Sequence, residues 1–337
     1  MRPVLVTGAS GFIGGHLVRR LVGDGFAVRV LVRPDSEAGS LAGLGVEIAR
    51  GDLADRASLA RAAAGCAVVY HLAALTSIRS RSEDEFEATN VLGSANLAAA
   101  AAEAGARRFV HVSSCGVYGF RNRFPADEAT PLRPDTPYRR SKARGESAVL
   151  ECADRTGLPV VIARIASIYG PRATNWARLC RSIQSGGFRM IGNGRNRLHL
   201  THVTDIVDGF RRCAETPGIE RRCYNLAAAE AISIGALVAR LAEALGANVK
   251  RRALPALPFR TTRHVDLALT NLFGLKLRRL HSYDLFLGDR VFDISRARKE
   301  LGYDPRVSAE EGLPELVADL REAGRLARCS GTIRPPN

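Results

Sequence analysis

Tyr138 and Lys142 stand four residues apart in the segment PYRRSK, at positions 137–142. On a helix this spacing places both side chains on one face, about one turn apart. Thr136 suits the N-cap of such a helix and Pro137 suits its first position, so the phenol would lie near the positive end of the helix dipole. Only four of the 49 basic residues are lysine, and one of them holds this position. The pattern predicts a tyrosine that acts as a general base beside an ammonium group.

A glycine-rich turn, TGASGFIG at positions 7–14, follows the first predicted strand and opens the first predicted helix. Gly8 and Gly11 lack a Cβ and would let the backbone approach phosphate groups, while Gly14 would let the helix pack closely on the strand. The N-terminus of that helix favours a negatively charged group. Although the spacing is GxxGxxG rather than GxGxxG, the turn predicts a dinucleotide-binding site.

Together these motifs resemble the extended short-chain dehydrogenase/reductase superfamily, which includes nucleotide-sugar epimerases and 3β-hydroxysteroid dehydrogenases. The resemblance runs from about residue 3 to about residue 317, and GDL at 51–53, HLAA at 71–74 and Asn90 extend it. It implies a nicotinamide dinucleotide cofactor, an α/β fold with a doubly wound parallel Rossmann sheet, and a smaller C-terminal α/β lobe that binds the substrate. It also implies a homodimer built on the helices predicted at 83–105 and 137–155.

The segment SSCGVYG at 113–119 ends the fifth predicted strand, where the superfamily carries its catalytic serine or threonine. The resemblance implies that Ser114, with Ser113 as the alternative, hydrogen-bonds the reacting oxygen opposite Tyr138. With Lys142, these residues form the predicted triad, and Asp52 is the expected ligand of the adenine amino group. The cofactor-binding residues implied are Gly8, Gly11, Phe12, Ile13, Gly14, Arg33, Asp52, Leu53, Leu72, Ala73, Ala74, Tyr138 and Lys142.

Three effects are expected to lower the pKa of the Tyr138 phenol: the Lys142 ammonium, the helix dipole and the oxidised nicotinamide. A shift of about three units from the usual value needs roughly 4 kcal/mol. One unit charge at about 4 Å supplies an interaction of that order.

The end of the second predicted strand should decide the choice of cofactor, because an acidic side chain there would bind the ribose hydroxyls of NAD and repel a 2′-phosphate. Arg33 occupies this position, followed by Pro34 and Asp35. A basic strand end favours NADP(H), with NAD(H) as the alternative if Asp35 faces the ribose.

Short β-branched runs alternate with alanine-rich stretches through the first half of the chain, which is typical of βαβ units around a parallel sheet. The predicted strands lie at 4–8, 28–32, 46–49, 67–74, 108–114 and 158–167, and the predicted helices at 12–23, 55–64, 83–105 and 137–155. The dinucleotide-binding domain is predicted at 1–170 and the substrate lobe at 171–327. Residues 198–227 are expected to return partly to the main sheet, and 328–337 form a loose tail.

Composition excludes several other classes of protein. The formal net charge is +15, but the charges are dispersed and aromatic residues are only 6% of the chain, which disfavours nucleic acid. The seven cysteines form no CxxC pair, and the histidines lack metal-ligand spacing, so neither a disulfide framework nor a metal site is expected. We expect a cytoplasmic protein without a membrane span, although its basic charge leaves peripheral contact with an anionic membrane open.

The substrate side is less well determined by the sequence. Ser167 stands where many sugar-nucleotide enzymes have an asparagine, and Leu198 where they have an arginine, although Arg195 or Arg197 could replace that arginine. Apolar residues interleaved with arginines at 253–287 are read as a small core in preference to a lipophilic channel.

The sequence supports oxidation or reduction of a secondary alcohol or ketone, with a lipophilic substrate favoured. Nucleotide-sugar epimerisation is the alternative, and a dinucleotide sensor without turnover is a third reading, disfavoured because both Tyr138 and Lys142 are retained.

Overall fold

The computed structural model describes residues 2–36, 38–76, 82–120, 122–249, 253–259, 261 and 284–327. The strands are β1 (Val4–Thr7), β2 (Val28–Val32), β3 (Glu47–Arg50), β4 (Val68–His71), β5 (Arg108–Ser114), β6 (Val160–Ile165), β7 (Ser167–Tyr169), β8 (Met190–Ile191), β9 (Arg197–Leu198), β10 (Leu200–His202), β11 (Cys223–Leu226), β12 (Ile232–Ser233) and β13 (Ala253–Leu254). The helices are α1 (Phe12–Gly23), α2 (Arg56–Ala63), α3 (Glu83–Phe86), α4 (Gly93–Glu103), α5 (Pro137–Thr156), α6 (Ala177–Gln184), α7 (Val203–Glu215) and α8 (Ile234–Leu245), followed by helices at Asp284–Leu287, Ser295–Leu301 and Ala309–Glu322.

Seven strands form one parallel sheet in the order β11-β6-β5-β4-β1-β2-β3. The chain builds outward from β1 to β3 and then returns to place β4 on the other side of β1. This reversal confirms the predicted doubly wound fold, in which ligands bind outside the carboxyl ends of the strands at the point of reversal. Central strands such as β1 and β4 are buried along their whole length, as strands covered on both faces should be.

Local capping interactions explain where several helices begin. The Thr136 hydroxyl accepts a hydrogen bond from the Arg139 amide at the start of α5, and Pro137 takes the first helical position. Ser233 caps α8 in the same way, and Ser308 forms a capping box at the start of the helix Ala309–Glu322. Each cap satisfies an amide that the first helical turn leaves without an intrahelical partner.

The helix predicted at 83–105 is interrupted. α3 ends at Phe86, a π-helical segment follows at Glu87–Leu92, and α4 then continues to Glu103. The strand predicted at 158–167 is likewise divided into β6 and β7.

The chain divides into two compact units, and the first comprises Met1–Ala166, Val203–Ala229 and Val291–Arg306. It contains the seven-stranded sheet, and α2, α4 and α5 pack together beside it around a core that includes Leu59, Leu97 and Phe109. α1 and α7 pack against each other in a separate layer.

The second unit comprises Ser167–His202, Glu230–Arg290 and Val307–Asn337. Its described strands form three pairs, β10-β7, β12-β9 and β13-β8, while α8 packs against α6 and the helix Ala309–Glu322.

Of the apolar side chains noted at 253–287, Leu254 and Leu257 are exposed. Val265, Leu269, Leu272, Phe273, Leu277 and Leu280 lie outside the described residues, as does the predicted tail. Within the described ranges, none of the helices combines the length and hydropathy needed to cross a membrane.

Candidate active site

The glycine turn lies where β1 and β4 end side by side in the sheet. Gly8 adopts φ +70°, and a Cβ there would lie 2.8 Å from the Ala73 amide nitrogen. A Cβ on Gly14 would lie 2.1 Å from the Gly8 carbonyl oxygen. Both positions therefore exclude a side chain, and the turn lies directly against the Leu72–Ala74 segment.

The start of α1 presents backbone donors at this turn. Gly11 is the N-cap residue and its amide donates to the Gly8 carbonyl at 3.0 Å. Gly11 has no side chain that could cap the helix. The first backbone amides of α1 can therefore donate to an anion, as binding of a dinucleotide pyrophosphate at this turn would require. Phe12 and Ile13 are partly buried in the first turn of α1.

Asp52 and Leu53 follow the end of β3. The Asp52 carboxylate accepts a hydrogen bond from the Ala54 amide at 2.9 Å, and its own amide donates to the Ser58 hydroxyl at 3.2 Å. Leu53 is buried against Gly93, where a Cβ would lie 2.8 Å from the Leu53 Cβ. These contacts hold the segment predicted to meet the adenine.

Arg33 follows the end of β2, and its side chain is 61% exposed. Its guanidinium donates to the Ser36 hydroxyl at 3.3 Å and lies 3.9 Å from the Asp35 carboxylate. Arg50, the last residue of β3, donates to the carbonyls of Arg33 and Ser36 at 3.0 and 2.7 Å. Sequence reasoning missed Arg50, although parallel neighbouring strands end at the same sheet edge and so indicate this proximity.

The structure brings the predicted triad together at the start of α5 and the end of β5. The Ser114 side chain lies close enough to the Tyr138 phenol to lower its pKa, and its hydroxyl accepts a hydrogen bond from the Gly116 amide at 3.0 Å. The Ser113 hydroxyl is buried without a hydrogen-bond partner in the described part of the chain. The Lys142 ammonium is buried and donates to the Val112 carbonyl at 2.7 Å.

Burial dominates the acid–base properties of these groups. It raises the pKa of Tyr138, although the hydrogen bond from Ser114 and the charge of Arg139 oppose the change. In the protein without dinucleotide, the loss of solvation therefore outweighs the groups that lower this pKa. The predicted lowering, which includes the charge of the oxidised nicotinamide, stays a prediction. Burial also lowers the pKa of Lys142 to about 8, against the opposing charge of Glu146.

Asn90 supports this site from the π-helical segment. Its side-chain oxygen accepts from the Leu75 amide at 2.8 Å, and its amide group donates to the Leu75 carbonyl and to the Ser141 hydroxyl at 3.1 and 2.9 Å. Ser141 in turn donates to the Tyr138 carbonyl at 2.8 Å. Asn90 thus connects the segment after β4 with the first turn of α5.

Glu146 lies one turn beyond Lys142 on α5 and forms a buried ion pair with Arg164 of β6. Arg164 Nη1 also donates to the Tyr118 hydroxyl at 3.0 Å, and that hydroxyl donates to the Asn225 side-chain oxygen at 2.8 Å. Sequence reasoning missed this network, although the continued spacing of four residues from Lys142 to Glu146 is a signal for it.

The candidate substrate residues Ser167, Arg195, Arg197 and Leu198 lie in the second unit. Ser167 is partly buried at the start of β7, where it pairs with Leu200, and Leu198 is 1% exposed and pairs with Ile232. Arg195 and Arg197 are exposed, and the Arg197 guanidinium donates to the Ala231 carbonyl at 3.1 Å.

The model of the NAD-dependent epimerase/dehydratase family matches residues 4–227, about two thirds of the chain. The chain is 34% identical to 4-hydroxy-2-methyl-3-oxo-4-farnesyl-3,4-dihydroquinoline-1-oxide ketoreductase from Stigmatella aurantiaca, over 95% of this chain and 96% of that protein. It is also 34% identical to sterol demethylase protein B from Methylococcus capsulatus, over 96% of this chain and 99% of that protein.

The crystal structure of gox2253 superposes with a TM-score of 0.83 at 30% identity, covering 97% of this chain and all of that one. These similarities extend across both units and not only across the dinucleotide-binding motifs.

Proposed function

Because the chain belongs to the NAD-dependent epimerase/dehydratase family, within the extended short-chain dehydrogenase/reductase superfamily, we propose that Ser114, Tyr138 and Lys142 catalyse its hydride-transfer reaction. The reaction is the net oxidation or reduction of a secondary alcohol or ketone, with NADP(H) as the preferred cofactor. The observation that carries this proposal is that the Ser114 side chain at the end of β5 acts on the Tyr138 phenol, while Lys142 follows one turn along α5 and is hydrogen-bonded to Val112 of the same strand.

The bound dinucleotide supplies the hydride in reduction and accepts it in oxidation. In reduction, the Tyr138 phenol donates its proton to the carbonyl oxygen as the hydride adds to the carbonyl carbon, which yields the secondary alcohol. The Ser114 hydroxyl holds that oxygen opposite the phenol, and Lys142 stabilises the phenolate that remains. In oxidation the Tyr138 phenolate would accept the alcohol proton, which requires a lower pKa of the phenol. The positive charge of an oxidised nicotinamide would act in that direction and against the effect of burial.

The preference for NADP(H) is supported by two guanidinium groups at adjacent strand ends. Arg33 is exposed beside the Ser36 hydroxyl, and Arg50 holds the backbone of both residues. An exposed guanidinium can form charge-assisted hydrogen bonds with the 2′-phosphate of NADP, whereas the 2′-hydroxyl of NAD is uncharged. Asp35 competes for Arg33 in the absence of the phosphate.

A lipophilic substrate is supported by the second unit and by the relatives. Leu198 is buried at the position where sugar-nucleotide enzymes place an arginine, so part of a diphosphate charge would lack its usual partner. The names of two relatives contain a farnesyl-bearing quinoline and a sterol, both largely apolar compounds. Apolar contacts would then supply the binding energy, at about 25 cal/mol per Å² of apolar surface buried.

The test follows the near-ultraviolet absorbance of the reduced nicotinamide with sterol-like and long-chain ketones, and separately with UDP- and dTDP-sugars. We expect NADPH to be consumed with a lipophilic ketone. Isomerised nucleotide sugar without net change in the dinucleotide would instead establish epimerisation, the alternative contained in the family's description.

We also propose a homodimer in the cytoplasm, formed through the α4 and α5 surfaces. α4 and α5 pack side by side, and Leu92 next to α4 is 56% exposed. Sedimentation equilibrium of the wild type and of Leu92→Arg tests the dimer. A wild-type monomer at micromolar concentration would contradict it.

A further inference from the structure

A buried chain of hydrogen bonds runs through His71, the last residue of β4. The imidazole is 1% exposed, with Nδ1 2.8 Å from the Thr7 hydroxyl of β1 and Nε2 2.9 Å from the Ser94 hydroxyl of α4. In the sequence, this histidine is the first residue of the HLAA segment at 71–74.

The partners determine the direction of every hydrogen bond in this chain. The Ser94 hydroxyl donates its one proton to the Asn90 carbonyl at 2.7 Å, so it must accept a proton from His71 Nε2. Burial lowers the pKa of His71 to about 3, so the ring is neutral and Nδ1 carries no proton. Nδ1 therefore accepts from the Thr7 hydroxyl, which itself accepts from the Ala73 amide at 3.2 Å.

One arm of this chain sets the spacing between the two segments that flank the dinucleotide. Thr7 immediately precedes Gly8, and Ala73 lies in the segment that follows β4. Because a Cβ on Gly8 would lie only 2.8 Å from the Ala73 nitrogen, the backbones of these segments are already in close contact. A small displacement of either segment would therefore change the shape of the site.

The other arm leads to the catalytic helix. Ser94 meets the backbone of Asn90, whose side chain binds Ser141, and Ser141 binds the carbonyl of Tyr138. All members of this arm lie in the first unit, so one rigid polar network spans the glycine turn and the first turn of α5.

We propose that His71, as its neutral Nε2–H tautomer, is a positioning residue that fixes the glycine turn against the Leu72–Ala74 segment and thereby sets the affinity for the dinucleotide. The inference rests on the proposed binding of dinucleotide at this turn, but not on the substrate class. It assigns His71 no contact with the reacting atoms.

His111 provides a matched control. It pairs with His71 on the neighbouring strand, their rings are 5.4 Å apart, and His111 is equally buried. Neither ring nitrogen of His111 has a hydrogen-bond partner in the described ranges. Replacing either histidine by leucine therefore removes a buried imidazole. Only the replacement of His71 interrupts the chain of hydrogen bonds.

The experiment is fluorescence titration of NADPH and NADH into the folded wild type, His71→Leu and His111→Leu. We expect His71→Leu to weaken dinucleotide binding by about tenfold or more, with His111→Leu within about threefold of wild type. His71→Asn, whose side-chain oxygen can replace Nδ1 toward Thr7, should recover part of the affinity. Equal affinities for His71→Leu and His111→Leu would overturn the inference, whereas a wild type that binds neither dinucleotide would overturn the proposed function itself.

Two further measurements keep the test decisive if His71→Leu does not fold. Thr7→Val removes the hydroxyl at constant shape and should weaken binding, while Thr7→Ser should restore it. Nitrogen-15 NMR of His71 should show one Nε2–H tautomer that does not titrate between pH 5 and pH 9, a window well above the pKa of about 3. A doubly protonated or Nδ1–H ring would contradict the assigned hydrogen-bond directions.

Discussion

The two units differ in how they hold their candidate functional residues. In the first unit, Ser114, Tyr138 and Lys142 lie on adjoining elements, and hydrogen bonds hold the side chains of Ser114 and Lys142 and the backbone of Tyr138. In the second unit, Arg195 and Arg197 are exposed. The comparison shows that the residues proposed for proton transfer are held by neighbouring elements of one unit, whereas the two arginines proposed for the substrate side lie at the surface.

The largest expected effect is that of removing the phenol. Tyr138→Phe should lower turnover by more than about a thousandfold while dinucleotide affinity changes little, because the hydroxyl transfers the proton and the ring only packs. Single-turnover kinetics and dinucleotide titration measure the two quantities separately. Near-normal turnover by this variant would end the catalytic assignment of the first unit.

The second prediction concerns the free energy of unfolding as a function of pH. Burial disfavours the charged form of Lys142, so its folded pKa of about 8 lies below the value of 10.5 for a solvated lysine. The unfolded chain therefore binds more protons between these values, and stability should rise with pH in that window as the penalty for burying the charge is relieved. We expect a gain of about 2 kcal/mol between about pH 7.5 and about pH 9.5 relative to Lys142→Met.

Urea unfolding of both proteins at the two pH values measures this difference, and titration of other groups cancels in the comparison. Parallel pH dependences would show that Lys142 is well solvated in the folded protein. The Lys142→Met variant should also lose both dinucleotide affinity and turnover, since the ammonium is expected to bind the ribose as well as the phenolate.

The third prediction concerns Arg33 at the end of β2. Its side chain is exposed, like those of Arg195 and Arg197 in the second unit. NADPH should bind about tenfold more tightly than NADH if Arg33 pairs with the 2′-phosphate, and the difference should shrink as salt is raised. Arg33→Asp should reverse the preference. Equal binding curves for the two dinucleotides with wild-type protein would show that Arg33 does not discriminate between NADPH and NADH.

The smallest effect is expected in the second unit. Arg195→Ala and Arg197→Ala should leave the KM for a lipophilic ketone within about threefold of wild type, because apolar contacts rather than ion pairs would hold that substrate. A rise of tenfold or more in the KM for a nucleotide sugar, with the ketone inactive, would favour a diphosphate partner in this unit. Steady-state kinetics with both substrate classes decides between them.

Sequence was most informative where the structural signal is local. Thr136, Ser233 and Ser308 cap helices through hydrogen bonds to residues three positions away, so their helix starts could be predicted closely. The parallel sheet also followed from the alternation of strands and helices. The π-helical segment at 87–92 has no comparable signal in the chain.

Long-range contacts were harder to predict. The partners of His71 lie 64 residues before it and 23 residues after it, so its role emerges only once β1, β4 and α4 are assembled. The sign of the pKa change at Tyr138 could not follow from its spacing to Lys142, because burial dominates that change. Arg50 directly follows the strand predicted at 46–49, so its position beside the end of β2 depends only on the order of the strands in the sheet.

The π-helical segment at Glu87–Leu92 can be understood as an insertion that the helix absorbs without moving its two ends. Asn90 at its centre is 1% exposed, and its carbonyl faces Gly145 of α5, where a Cβ would lie 2.5 Å away. Because a π-helical turn takes up one extra residue locally, deleting one residue here would restore uniform α-helical winding and leave α3 and α4 in their present register. The extra residue is therefore confined to its own turn, where Asn90 reaches Leu75 and Ser141, while the helices on either side keep their register.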